Sequence, residues 1–160
     1  MVTLFVLGTS FGLLFLLPFL MKRRFGLLGL ALAAGALLSA YLTEAVQAFL
    51  ESQDITLGQP PLASVVAVSL VLFPAMLVLF GSPSSSGKTQ RIVSSLLFAS
   101  MAFLIILPEL QNIFVIDPAA MPVLETVAKY KSTALAALII YATIDTALGQ
   151  GRPGKPASRK

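Results

Sequence analysis

From Val2 to Met21 the chain sets twenty residues in a row without one charged side chain, and four further runs follow the same plan. The second, Phe25 to Leu50, is uncharged until Glu44; the third, Leu62 to Phe80, carries no charge. The fourth, Ile92 to about Ile116, is interrupted only by Glu109. The fifth has its apolar stretch from Ser132 to Leu148, with Asp145 near its end. It can begin as early as Pro122 or Val123, because proline suits the first turn of a helix. A helix needs about 20 mostly apolar residues to cross hydrocarbon, and each run supplies or approaches that length.

Composition agrees with the runs. Hydrophobic residues make up 57% of the 160 positions and charged residues 11%, and the mean hydropathy is +0.91. A soluble domain carries roughly a quarter charged residues, so too few charges remain here to coat a water-facing surface. The expected fold is an all-α polytopic membrane protein with five transmembrane helices, or four plus one interfacial helix. It forms a single helical domain over residues 1–148, followed by a disordered basic cytoplasmic tail, 149–160. The fifth run is the weakest member, because Glu125, Lys129 and Lys131 make its outer end amphipathic. The first run lacks the basic n-region of a signal peptide, and its charges follow it instead.

Nine of the eleven basic residues fall into three clusters: Lys22, Arg23, Arg24; Lys88, Arg91; and Arg152, Lys155, Arg159, Lys160. Positive charge marks the cytoplasmic side of membrane proteins. With five spans, all three clusters fall inside, and the loops 51–61 and 117–122 fall outside with Glu51, Asp54, Asp117 and no Lys or Arg. The expected topology is N-terminus out and C-terminus in, within the cell inner membrane. Nucleic acid is not an expected partner, since no basic face with interleaved aromatics exists. The bilayer is, together with other membrane proteins or a second copy.

One stretch, GSPSSSGKTQR at 81–91, invites a nucleotide reading. A phosphate-binding loop needs G-x-x-x-x-G-K-[ST] between a strand and a helix. Here five residues separate Gly81 from Gly87, and Ser82 stands where the first glycine is required. The stretch also joins two apolar runs, with no room for an α/β domain. It is read as a turn that holds Lys88 and Arg91 inside, with no nucleotide bound. Cysteine and histidine are absent, which removes thiolate nucleophiles and most zinc or haem sites, so no cofactor or metal is expected.

Ionisable groups at membrane depth are functional candidates by default. Glu44 lies twenty residues after Arg24, about 30 Å along a helix, and Glu109 eighteen after Arg91, about 27 Å. Both therefore approach the outer headgroup zone. With Glu125, Lys129 and Lys131 they are expected to be interfacial charges with a structural role, either solvated or paired in an outer ion-pair layer, Glu125 and Lys129 being spaced i,i+4. The alternatives are an outward-facing vestibule or partner site, and ion coupling. Asp145 is placed at the cytoplasmic end of its span, where a carboxylate reaches water.

Ala31, Gly35, Ser39 and Thr43 recur every four residues on one face of the second span. Small side chains let helix backbones approach closely in lipid, so this face is expected to meet another helix. Pro18, Pro74 and Pro108 lie within spans and each removes a backbone hydrogen bond, with Pro74 nearest a span's middle. Tyr41 and Tyr130 are expected as outer-interface anchors.

The first span followed by KRRFGLLGLALAAGALLSAYLTEAVQAFL resembles the bacterial colicin V production protein family, over about residues 1–116. That family has a short basic-glycine junction, a second helix rich in small residues, then two more spans around a short loop. Arg24-Phe25-Gly26 stands where the family has Arg-Gly. The resemblance implies a bacterial inner-membrane protein with an envelope or secretion-related role, and it carries no catalytic residue onto this chain. The function expected overall is non-enzymatic: an accessory or scaffold component of the cell envelope. The alternative is a small oligomeric channel or transporter. An intramembrane enzyme would need a Ser–Lys dyad drawn from Ser94, Ser95 and Lys88.

Overall fold

The second apolar run has no side chain able to start or stop a helix in the usual way, yet it forms the longest element of the bundle's interior. Arg24 precedes it in an extended conformation, φ −81° and ψ 144°, and offers no side-chain cap. At the other end the amides of Asp54 and Ile55 return to the carbonyls of Glu51 and Leu50, at 3.1 Å each. That paired return is a Schellman closure, and it puts Asp54 at φ 58°, a left-handed position normally given to glycine.

The computed structural model describes residues 2–21, 24–55, 60–81, 88–113, 118 and 121–150. Five helices run in the order α1 (Val2–Met21), α2 (Phe25–Ser52), α3 (Leu62–Gly81), α4 (Lys88–Ile113) and α5 (Met121–Gln150), and among the described residues there is no strand. The all-α expectation therefore holds. Four of the helices, α2 to α5, are long and apolar enough to cross a membrane. α5 is the least apolar of the four, in keeping with its place as the weakest run in the sequence, and α1 is a helix of twenty residues.

Two boundaries differ from expectation. Lys88 to Arg91 are not part of a turn but form the first turn of α4, and α5 continues to Gln150, past the expected start of the tail. Lys22 and Arg23, the loop 82–87 and the tail from residue 151 lie outside the described residues.

The core is small-grained. Leu28 and Leu32 of α2 meet Val71, Ala75 and Leu79 of α3 and Phe98, Met101 and Ala102 of α4. α4 packs against all four other helices, α1 chiefly against α4, and α5 chiefly against α2. Against this core every helix presents large apolar side chains outward, among them Phe5, Leu20, Tyr41, Phe49, Phe73, Ile92, Ile140 and Leu148. Such a surface is costly in water and costs nothing against hydrocarbon. The hydroxyls on these helices are quieted locally: Thr9, Thr43, Ser69, Thr126, Thr143 and Thr146 each donate to the carbonyl four residues back, which spares an apolar solvent any bare polar group.

α2 and α3 are the most closely apposed pair. Gly35 is buried against the backbone of Val71, and a Cβ on Gly35 would overlap the Val71 carbonyl oxygen. Counting nine residues outward from this contact along both antiparallel helices reaches Glu44 on one and Leu62, the first residue of α3, on the other. Glu44 therefore sits at the end of the apolar layer, and the last eight residues of α2 project about 12 Å beyond it. α3 runs unbroken through Pro74, which is half-buried.

Because backbone, not a flexible side chain, opposes Gly35, the site has no cheap way to make room. Gly35→Ala is expected to destabilise the protein by about 1–3 kcal/mol, against a near-neutral effect for Gly8→Ala, where no atom lies within 4 Å. Chemical unfolding of both variants in detergent measures the difference.

Candidate functional site

A helix leaves its first four amides and last four carbonyls without internal partners. α2 begins with no side-chain cap of its own, so its first amides need an acceptor from elsewhere. α5 supplies it: Asp145 Oδ2 accepts the backbone N–H of Gly26 at 2.8 Å, across 119 residues of chain. The carboxylate lies at the positive end of the α2 dipole, a favourable place for an anion.

Two glycines make the approach possible. A Cβ on Gly26 would lie 2.9 Å from both Asp145 Oδ2 and the Thr146 amide nitrogen. One turn on, a Cβ on Gly29 would lie 2.9 Å from the Ala142 Cβ and from the Phe25 ring. Phe25 and Ala142 are fully buried there, and Tyr141 tilts over Phe25 with ring centroids 5.9 Å apart. Asp145 is half-buried, which leaves it some access to water, and it is also bonded to a neighbouring helix.

The adjacent pair repeats the arrangement with signs reversed. Arg91, in the first turn of α4, donates through Nη2 to the carbonyl of Phe19 at 2.7 Å, and its guanidinium lies 4.7 Å from the centroid of the Phe19 ring. Phe19 is in the last turn of α1, where carbonyls are unpartnered and cations favoured. Arg91 Nε and, one turn along α4, Ser95 Oγ are buried without a hydrogen-bond partner among the described residues.

Each charge stands at the wrong end of its own helix. Arg91 is at the positive N-terminus of α4 and Asp145 near the negative C-terminus of α5. Each is instead matched to the antiparallel neighbour. These contacts gather at the end of the bundle where α1 stops and α2 starts, the end of the basic clusters.

The opposite end carries the charges expected to be solvated or paired, and of these two forms the described residues show the unpaired one. Glu44, Glu125 and Lys129 are exposed, and Glu109 and Lys131 half-buried. No ion pair joins any two of them among the described residues. Lys129 extends over the Tyr130 ring, 5.7 Å from its centroid, instead of toward Glu125. The reason is that α5 buries only 6% of its apolar window, against 39% to 44% for the other three. Exposed ion pairs gain little over solvated charges. Tyr41 and Tyr130 are both exposed at this end.

In the small-residue row, Ala31 and Gly35 are buried while Ser39 and Thr43 are half-buried, with the Thr43 hydroxyl donating to the Ser39 carbonyl at 2.6 Å. Ser94 and Ser95 are buried and Lys88 is exposed. Lys88 stands about 9–10 Å from the two serines along the helix axis, and no hydrogen bond links them. Compared with known proteins, the chain matches no protein-family model, no curated protein and no solved structure. The resemblance to the colicin V production family rests on the residues quoted for it.

Removing the α5 carboxylate leaves a helix-start amide without its acceptor. Asp145→Ala is expected to lower stability by about 1–2 kcal/mol, and Asp145→Asn, which keeps an acceptor oxygen, by less. Gly26→Val, which forces α5 away, is expected to exceed Asp145→Ala. Unfolding of the three variants in one detergent gives the order.

Proposed function

We propose that the protein is an integral membrane component without enzymatic chemistry, which works by associating with other membrane proteins as an accessory or scaffold subunit of a bacterial cell envelope. The observation that carries this reading is the disposition of α5. It is fastened at one end by Asp145, Gly26 and Gly29, yet only 6% of its apolar window is covered by its own bundle. A 30-residue helix held along so narrow a line offers most of its length to a neighbour. Arg91 and Asp145 already serve the backbone of adjacent helices. The colicin V production resemblance points the same way.

The proposed orientation has the N-terminus outside and the C-terminus in the cytoplasm, by the bias of the basic clusters. Single cysteines introduced at Ser52 and Thr89, in a chain with no native cysteine, test it with a membrane-impermeant thiol reagent on intact cells. Labelling at Ser52 and protection at Thr89 is expected; the reverse pattern overturns the orientation.

Purification in mild detergent, with mass measurement and identification of co-purifying proteins, tests the function. A stoichiometric membrane partner, lost when Ile140 and Ile144 on the outer face of α5 are replaced by tryptophan, is the expected result. A pure homo-oligomer that passes ions in proteoliposomes, with flux abolished by Glu109→Gln, overturns it in favour of a channel.

A further inference from the structure

A cleft of about 380 Å³ opens between α2, α4 and α5, lined by Ala33, Ala36 and Leu37, Met101 and Ile105, and Leu135 and Ile139. Its wall is apolar throughout. Toward the basic end it is closed by the contact of Gly29 with Ala142. Toward the other end, the helical repeat places one more turn of each wall at the mouth. Four residues beyond Leu37 stands Tyr41, four beyond Ile105 stands Glu109, and four before Leu135 stands Lys131. Glu109 and Lys131 are half-buried, and among the described residues neither has a polar partner. Counted from the Gly29–Ala142 contact, Lys131 is level with Ala40, four residues short of Glu44. Lys131 is then about one turn below the edge of the apolar layer, within reach of headgroups by snorkelling.

We propose that this cleft binds a zwitterionic phospholipid. One acyl chain lies along Ala36, Met101 and Leu135, the phosphate meets Lys131, and the headgroup ammonium meets Glu109. Three features select this occupant. The cleft holds roughly a dozen groups of about 30 Å³ each, the size of a water or a methylene, which suits an alkyl chain and excludes a helix about 10–12 Å across. Two opposite charges at one mouth, not drawn together, match a ligand that carries both signs. The contrasting cleft between α2 and α3, lined by Val46, Leu50, Val66 and Phe73, has only acidic residues, Glu44, Glu51 and Asp54, within one helical turn of its lining in sequence, and no Lys or Arg. It lacks the complementarity.

The full-length protein, delipidated in detergent, is titrated with palmitoyl-oleoyl phosphatidylethanolamine or phosphatidylglycerol and read by native mass spectrometry. The expected result is one retained equivalent of the ethanolamine lipid, bound at least tenfold more tightly than the glycerol lipid. Glu109→Gln should erase that preference, Lys131→Gln should weaken both lipids, and Ala36→Phe should block retention by filling the cleft. Circular dichroism verifies that each variant is helical. Equal affinity for both lipids, or retention unchanged by Ala36→Phe and Lys131→Gln, overturns the proposal. So does a co-purifying membrane protein displaced by Ala36→Phe while lipid retention persists, because the cleft then belongs to a partner.

Discussion

In a solvent that cannot form hydrogen bonds, the ends of helices are the hardest parts to bury. Most of each helix satisfies its own backbone, and only the termini need help. This chain gives that task to the neighbours. Asp145 near the end of α5 caps the start of α2, and Arg91 at the start of α4 caps the end of α1. In antiparallel pairs the terminus of one helix lies beside the opposite terminus of the next. A charge disfavoured by its own helix dipole is thus favoured by its neighbour's. The two glycines at the start of α2 follow from the same need, since the carboxylate cannot reach the Gly26 amide past a side chain.

The overall architecture is uneven in a consistent way. α4 touches every other helix and α2 closes tightly on α3, so the centre of the bundle is fixed by small residues and backbone contact. α5 is attached at one end and open along the rest. The half of α5 away from that attachment is also where Glu125, Lys129 and Lys131 remain apart. Rigidity is therefore concentrated at the end with the basic clusters, and adaptable surface at the end with the acidic ones.

Uncharged runs of about twenty residues leave few folds available, and all five helices were legible from them. Glu44 and Glu109 were placed toward the same end of the bundle by counting rise per residue. The cross-helix caps were not legible. Arg91 read as a topology signal and Asp145 as a residue at water's edge, because sequence spacing carries no information about which helices are neighbours. A clue was present in each case, since both charges oppose their own helix dipole. Gly26 and Gly29 were overlooked because the four-residue row through Gly35 was the more regular pattern, and that row faces α3. Which of the two forms expected of the interfacial charges is realised, solvated or paired, was not legible either, for a different reason. Opposite charges at helical spacing form pairs reliably only where packing restricts them, and α5 is barely packed there.

The separation between Gly26 and Asp145 has a consequence for biogenesis. The amide leaves the ribosome 119 residues before its acceptor, so through most of synthesis the start of α2 is held by transient partners such as interfacial water. The contact can close only once α5 has been made. A nascent chain interrupted before α5 keeps an uncapped amide in the first turn of its second helix.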